Sequence, residues 1–249
     1  MKNALLIDLG GTNVRHAFFI NNALSKISKE KISDKEFIPF ITKLLNGAES
    51  KIEYLVVAAA GPNNHGFINL TNRNLLINSS ELEATLNLKK CLLLNDWEAV
   101  AFSLSEMEKK SFLSIKSNVP SNKNTLLIGP GTGLGVTLII DDQIIPTEFG
   151  NVLSATKSMM GSFGIERSEK FLSLENILSG PGIEMLYEEK FGKKLSSEKI
   201  ITLALERNED ALFIVNNFLK ILITIIDDLV LSFTCKRVIL GGAILNSLK

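Results

Sequence analysis

The sequence predicts an α/β protein of two lobes built on a duplicated core, and three observations support this prediction. Short apolar runs that end in glycine turns alternate along the chain with segments of helical periodicity. A strand–turn–strand pattern occurs near the N-terminus and again just past the middle, and the last third has mainly helical patterns. With 249 residues, of which 45% are hydrophobic and 22% charged, the chain is long enough for two lobes and has a folded protein's composition.

The first predicted lobe, residues 1–106, begins with a strand, a glycine turn and a second strand. Buried apolar runs and one alternating run predict strands at 4–9, 14–20, 52–60 and 91–94. Helical patterns follow at 34–46, at 79–86 and from Trp97 to about Met107. Ser33 or Asp34 is available to cap the first helix, and Ser79 or Ser80 the second.

The second predicted lobe, residues 107–249, begins near a polar loop at 116–124. Its strands are predicted at 125–128, 134–140 and 236–240, and its helices at 180–191, from 196 onward and at 209–235. The last helix is very apolar, but Lys220, Asp227 and Asp228 interrupt it. A membrane span needs about 20 consecutive apolar residues, so we predict a helix buried inside the protein.

The strand–turn–strand pattern is an internal repeat at an offset of 120 residues, which aligns Thr12 with Thr132. A strand that ends in a glycine turn lets backbone amides approach phosphate oxygens, and the threonine hydroxyl adds a donor. Asp8 precedes the first turn and could hold Mg²⁺, directly or through water, since this ion prefers carboxylates, waters and phosphates. An ordinary hairpin turn is the alternative, and it explains two such turns less well than one.

Five segments together resemble the bacterial glucokinase family of the hexokinase, actin and Hsp70 superfamily. They are a first phosphate motif at Asp8–Arg15, a catalytic segment at Leu94–Ala101, a second phosphate motif at Gly129–Val136, a glucokinase segment at Leu178–Gly182 and an adenosine motif at Ile239–Ile244. The resemblance implies the two-lobed actin-like ATPase fold, which is ribonuclease H-like, with a cleft between the lobes. It also implies ATP- and Mg²⁺-dependent phosphorylation of glucose, or a related hexose, at the 6-hydroxyl.

The resemblance assigns roles residue by residue. Asp96 matches the catalytic base that takes the proton from the attacking hydroxyl. The residues implied to bind the sugar are Asn95, Asp96, Glu148, Asn151, Glu175 and, more weakly matched, Asn72. The residues implied to bind the nucleotide are Asp8, Gly10, Gly11, Thr12, Asn13, Gly131, Thr132, Gly133, Gly241 and Gly242. Taken alone, Asp96 also fits a helix cap after a strand.

The sequence departs from the family in two places. Where the family usually reads Glu-Gly-Gly-His, this chain has Glu148-Phe149-Gly150-Asn151, so an amide replaces a histidine and a bulky ring replaces a glycine. The family also continues for several tens of residues past the Gly241-Gly242 position, and we expect this chain to lack elements that wall the adenine pocket. The alternative function is therefore a shortened relative that binds sugar or nucleotide without turnover.

Charge and cysteine content bear on partners and compartment. The 27 basic and 27 acidic residues give no net charge that would favour nucleic acid. The two cysteines lie in apolar runs and suit a reducing cytoplasm, and the N-terminal apolar run is too short for a signal peptide. We expect a cytoplasmic protein with hexose and ATP as partners, without nucleic acid or membrane, and we allow for a homodimer.

Overall fold

The computed structural model describes residues 3–10, 13–70, 73–116, 122–153, 156–166 and 169–248. The chain forms two compact units, residues 1–106 and 107–249. Each unit combines one main β-sheet with helices, so the predicted mixture of strands and helices is present in both.

The first unit contains eight strands among its described residues. They are β1 (Ala4–Leu9), β2 (Val14–Ile20), β3 (Ala23–Leu24), β4 (Ser28–Glu30), β5 (Tyr54–Ala59), β6 (Phe67–Asn69), β7 (Leu76–Asn78) and β8 (Lys90–Asn95). Its α-helices are α1 (Phe37–Asn46), α2 (Ser79–Thr85) and α3 (Asp96–Ser103). The main sheet has the order β3-β2-β1-β5-β8, with β4 also paired to β2, while β6 and β7 form a separate hairpin.

The three central strands of this sheet, β1, β5 and β8, are parallel and in register. Leu9 lies beside Ala59, and Ala59 lies beside Asn95, so the strands end at the same level. Alternate residues of β1 and β5 are buried, and they pack in one core with Phe37, Phe40 and Ile41 of α1. Full burial of each large apolar side chain contributes about 1.5–3 kcal/mol, so this face strongly specifies the register.

The second unit has four strands among its described residues: β9 (Thr125–Pro130), β10 (Leu134–Ile140), β11 (Gln143–Pro146) and β12 (Arg237–Leu240). Its helices are α4 (Thr156–Ser162), α5 (Gly180–Phe191), α6 (Ser197–Leu205), α7 (Glu209–Ser232) and α8 (Ala243–Asn246). The sheet order is β11-β10-β9-β12, and β12 runs parallel to β9.

Helix α7 is buried along one stripe, as the sequence predicts. Ile214, Phe218, Ile221, Ile225 and Leu229 recur at spacings of three and four residues and pack into the core of the unit. Among the described residues, no helix combines the length and the apolar character that crossing a membrane requires.

The two sheets repeat the same strand order, which supports the predicted duplication. The order β3-β2-β1-β5 corresponds to β11-β10-β9-β12. The predicted offset of 120 residues holds for the strands that follow the turns, since β2 begins at Val14 and β10 at Leu134. It is wrong for the strands that precede the turns, β1 and β9. Leu9 pairs with Val14, whereas Pro130 pairs with Leu134, so the second turn is one residue shorter and the first strands are offset by 121.

Several element boundaries differ from the predicted ones. Helix α3 ends at Ser103 rather than Met107, and α7 ends at Ser232 rather than Cys235 because Thr234 takes a left-handed conformation, φ 50°. Helix α2 is capped by the side chain of Asn78, not by Ser79 or Ser80. The short elements β3, β4, β6, β7, β11, α4 and α8 were not predicted, because two to seven residues carry too little periodicity to recognise.

Gly242 is a position where the fold requires glycine. It has φ 90°, and a Cβ there would overlap the carbonyl oxygen of Pro130. We expect Gly242→Ala to lower the free energy of unfolding by about 2–3 kcal/mol, measured by urea denaturation. Gly192→Ala is the matched control, because Gly192 also has a positive φ, 67°, but a Cβ added there would have open space within 4 Å. This substitution should lower the free energy of unfolding by about 1 kcal/mol. Equal losses for the two variants would contradict the steric argument.

Candidate active site

The carboxyl edge of the first sheet gathers the candidate residues of the first unit. Asp8 is the penultimate residue of β1, and the last residue of β8, Asn95, leads directly into Asp96 at the start of α3. Because β1, β5 and β8 are parallel and end level, the sheet brings Asp8 and Asp96 to one edge. They lie close enough for the charge of Asp8 to act on Asp96.

The junction between β8 and α3 is held by a reciprocal set of hydrogen bonds. Asn95, 5% exposed, accepts from the backbone N–H of Trp97 at 2.9 Å and of Glu98 at 3.3 Å, and its Nδ2 donates to Gly61 O at 3.2 Å. In return the Asn95 N–H donates to Glu98 Oε2 at 3.0 Å. The helix cap is therefore Asn95, and Asp96 is the first helical residue.

Asp96 is placed where its carboxylate is partly desolvated. Burial raises the pKa of the Asp96 carboxyl, and the negative charge of Asp8 raises this pKa further. The backbone N–H of Trp97, which donates to Asp96 Oδ1 at 2.9 Å, opposes this by stabilising the charged form. A carboxylate with raised proton affinity and one oxygen tied to a helix N-terminus is suited to accept a proton at a defined position.

Asp8 forms an ion pair that the sequence did not predict. Arg15 lies opposite Asp8 on β2, and its Nη1 is 2.8 Å from Asp8 Oδ2, with both side chains about half exposed. A half-exposed carboxylate beside a second one fits a hydrated Mg²⁺, which binds one or two carboxylates and keeps several waters. In the turn after Asp8, the Gly10 N–H donates to Asn13 O at 3.0 Å, whereas Gly11 and Thr12 lie outside the described residues.

The second unit brings its predicted nucleotide turn against two further glycine segments. Within the turn, the Gly131 N–H donates to Gly133 O at 2.8 Å. Gly180, at the start of α5, donates to Gly131 O at 2.8 Å. Gly241, after β12, donates to Ile128 O at 3.0 Å, and Gly242 lies against Pro130. Thr132 is exposed at the tip of this turn. The two predicted nucleotide segments of this unit are therefore neighbours.

The predicted sugar ligands of the second unit lie on two short 3-10 helices. Glu148 immediately precedes the helix Phe149–Asn151, and Asn151 Nδ2 donates to Glu148 Oε2 at 3.1 Å. Glu175 lies within the helix Leu174–Asn176. A Cβ at Gly133 would be only 2.6 Å from Glu175 Oε2, so the missing side chain lets this carboxylate reach the glycine turn. The two helices touch at Gly150, whose added Cβ would lie 3.5 Å from Glu175 Cβ.

The two departures from the family motif have different consequences in the structure. The ring of Phe149 packs half-buried against the core of the second unit, so it does not stand free beside Glu148. Asn151 is exposed and uses its amide to hold Glu148. The weaker sugar candidate, Asn72, lies outside the described residues.

Three supporting residues were missed by sequence reasoning. Arg15, Glu98 and the Gly61 carbonyl each contact a candidate residue in the first unit. The Glu98 contact was readable in principle, because Asn95 followed three residues later by Glu98 is a capping-box pattern. The contacts of Arg15 and Gly61 depend on strand pairing and carried no local signal.

Solved structures similar to this chain identify the class of protein. A glucokinase from an Antarctic psychrotroph matches with a TM-score of 0.78 and 25% identity, covering 100% of this chain and 86% of that one. Glucokinase from Balamuthia mandrillaris also gives a TM-score of 0.78, at 20% identity, covering 99% of this chain and 81% of that one. These neighbours have the actin-like ATPase fold, and the predicted fold class is confirmed.

The sequence comparisons then identify the family. A sequence model described as Glucokinase matches residues 5–249. The glucokinase of Pseudomonas paraeruginosa is 28% identical over 202 residues, 74% of this chain and 58% of that protein. A glucokinase-like protein of Xylella fastidiosa is 30% identical over 200 residues, 74% of this chain and 60% of that protein. The chain belongs to the glucokinase family, and it spans less than two thirds of the length of these relatives.

The raised proton affinity of Asp96 can be tested without an activity assay. In protein carrying ¹³C-carboxyl aspartate, we expect one resonance to titrate with a midpoint above the ordinary aspartate value of about 3.9. This resonance should disappear in Asp96→Asn, which assigns it. The expected direction follows from burial first and the Asp8 charge second. A midpoint at or below the ordinary value would contradict the electrostatic description of this site.

Proposed function

We propose that the protein transfers the γ-phosphoryl group of ATP to the 6-hydroxyl of glucose or a related hexose, giving hexose 6-phosphate and ADP. In this reaction Asp96 accepts the hydroxyl proton as the sugar oxygen bonds to the γ-phosphorus, and the bond from that phosphorus to the bridging oxygen of ADP breaks. The observation that carries the proposal is the place of Asp96. It is a partly buried carboxylate with raised proton affinity, held at the start of a helix beside a second carboxylate.

The glycine turns are proposed to bind the nucleotide. In the first unit, Gly10 and Asn13 frame the turn after Asp8, together with Gly11 and Thr12 in the sequence. In the second unit, the candidates are Gly131, Thr132, Gly133, Gly241 and Gly242. Bound Mg²⁺ would neutralise charge on the phosphates, and Asp8 is the residue proposed to hold it, directly or through water. The similar ROK family glucokinase from Streptomyces griseus was solved with glucose and AMPPNP, which supports ATP as the donor.

The sugar is proposed to bind through acidic and amide side chains. Glu148 and Glu175 supply carboxylate acceptors, and the exposed Asn151 supplies an amide for fixed hydroxyls. Asn95 completes the proposed set, and the sugar would share its amide with the bonds by which Asn95 caps α3. In the second unit, Glu148, Asn151 and Glu175 lie on adjacent short helices, which supports a shared role. The glucokinase from Balamuthia mandrillaris was solved in complex with glucose, and this favours glucose among the hexoses.

Compartment and oligomeric state complete the proposal. Both cysteines are buried free thiols, and burial raises the pKa of Cys91 to about 12, which suits a reducing cytoplasm. The proposal includes a homodimer. Light scattering coupled to size-exclusion chromatography measures the mass of the particle in solution, which should be twice that of one chain. The alternative, a shortened relative that binds sugar or nucleotide without turnover, predicts binding of one of these ligands but no hexose-dependent release of ADP.

Replacing the proposed base should abolish turnover without unfolding the protein. With ATP, Mg²⁺ and a panel of hexoses in a coupled assay of ADP release, we expect hexose-dependent turnover that Asp96→Asn lowers by about 10²–10⁴-fold. Asp210→Asn is the matched control, because Asp210 is also an acid in the first turn of a helix but supports no proposed step. Wild-type turnover that survives in Asp96→Asn would remove Asp96 as the base.

Replacing Asp8 should weaken the response to Mg²⁺. We expect Asp8→Asn to raise the Mg²⁺ concentration for half-maximal rate by roughly tenfold or more, since a carboxylate contact to the hydrated ion is lost. Arg15→Met separates this effect from loss of the ion pair, because it breaks the 2.8 Å contact but keeps the carboxylate. The Mg²⁺ requirement of Arg15→Met should not rise. A rise of the same size in both variants would mean that the ion pair, and not the metal contact, matters.

A further inference from the structure

Reciprocal helix caps occur at three places in the described part of the chain. In each, the residue before a helix and the third helical residue exchange hydrogen bonds through side chain and backbone. The three pairs are Ser33 with Glu36, Asn95 with Glu98, and Ser173 with Asn176. Such caps stabilise a helix by satisfying backbone N–H groups that have no partner within it, which is the ordinary reason for them. Two of the three, however, enclose a carboxylate of the candidate site.

The first of these two caps encloses Asp96. Asp96 is the first helical residue between Asn95 and Glu98, and its Oδ1 shares the Trp97 N–H with Asn95 Oδ1. Glu98 Oε2 holds the Asn95 N–H at 3.0 Å. Burial raises the pKa of the Glu98 carboxyl, so this side chain is not merely an exposed surface acid. The backbone before Asp96 is therefore held by the Glu98 side chain, and the backbone after it by the side chains of Asn95 and of Asp96 itself.

The second cap encloses Glu175. Ser173 is buried, and Asn176 Oδ1 accepts from its backbone N–H and from its Oγ, each at 3.0 Å. The Asn176 N–H donates back to Ser173 O at 3.1 Å. Glu175 lies in the single turn between them and reaches toward Gly133. One helical turn has little stability of its own, so its cap largely determines where Glu175 points.

We propose that Glu98 and Asn176 are positioning residues: Glu98 orients Asp96 for proton transfer, and Asn176 orients Glu175 for sugar binding. This inference rests on the proposed function. Displacement of a reacting group by about 1 Å can lower the rate by about 10²-fold. Loss of a cap beside a catalytic group should therefore lower activity far more than the small loss of helix stability alone would explain. The two residues should act on different kinetic constants, because Asp96 serves the chemical step and Glu175 serves substrate binding.

The third cap supplies the matched control. Glu36 Oε2 accepts from the Ser33 N–H at 2.7 Å and from Ser33 Oγ at 2.6 Å, the same pattern that Asn176 makes with Ser173. The helical turn that follows Ser33, Asp34–Glu36, carries no candidate site residue. Glu36→Ala therefore removes one reciprocal cap of the same chemistry from a place where the site should not respond.

The experiment compares Glu98→Ala, Asn176→Ala and Glu36→Ala by steady-state kinetics, with melting temperature and circular dichroism as checks of folding. We expect Glu98→Ala to lower kcat by about 10–100-fold with the hexose KM changed less than about threefold. We expect Asn176→Ala to raise the hexose KM by about tenfold with kcat changed less than about threefold. Glu36→Ala should lower the melting temperature and change neither constant by more than about twofold.

Conservative variants separate positioning from general damage. Glu98→Gln and Asn176→Asp keep an oxygen that can accept the same N–H, and each should recover most of the lost constant. If Glu98→Ala does not fold, Glu98→Met replaces it, because methionine has about the length of glutamate but carries no oxygen to accept the Asn95 N–H. The proposal is overturned if the kinetic constants of Glu98→Ala and Asn176→Ala match those of Glu36→Ala. It is also overturned if each of the two variants lowers kcat and raises KM together and the conservative variants do not restore these constants.

A wild-type protein without turnover would refute the proposed function and still test this inference. Calorimetric titration with the hexose then measures sugar affinity, which tests the role of Asn176 alone. Weaker binding in Asn176→Ala than in Glu36→Ala, by about tenfold, supports the positioning role, and equal binding overturns it. A wild-type protein that binds no hexose overturns both the function and the inference.

Discussion

The in-register parallel pairing of β1, β5 and β8 is the constraint on which the rest of the first unit depends. It makes the three strands end level, so that the residues at their carboxyl ends share one edge of the sheet. Leu5, Ile7 and Leu9 face the core, and Asp8 faces the other way because side chains alternate along a strand. A slip of one residue would bury Asp8 and expose three large apolar side chains, so the same burial that stabilises the sheet also positions the carboxylate.

In the second unit, the close approach of backbone segments positions the candidate residues. Gly180, Gly241 and Gly242 lie against the end of β9 and the turn that follows it, and Gly133 leaves space for the carboxylate of Glu175. These contacts connect segments that are about 40 to 110 residues apart in the chain. At Gly242 the absence of a side chain is required because the carbonyl group of Pro130 lies directly against it.

The sequence and the structure agree best where a signal is local and strong. The apolar runs, the stripe on α7 and the glycine turns predicted most long elements within a few residues, and the motif order indicated the family. Short strands such as β3 and β11 escaped prediction because pairing with a neighbour, and not their own composition, makes them strands. The single offset of the repeat was wrong for the first strands because a one-residue difference in turn length leaves no trace in composition.

The amino-acid sequence by itself determined the α/β class through its hydrophobic periodicity, and its five motifs indicated the family, the actin-like fold and the candidate chemical groups through their resemblance to that family. Only the tertiary structure decided how those groups are held. It paired Arg15 with Asp8, made Asn95 rather than Asp96 the helix cap, turned Phe149 toward the core and set Glu175 beside Gly133. Each of these depends on distances between chain segments, which strand register and packing determine and which local sequence does not encode.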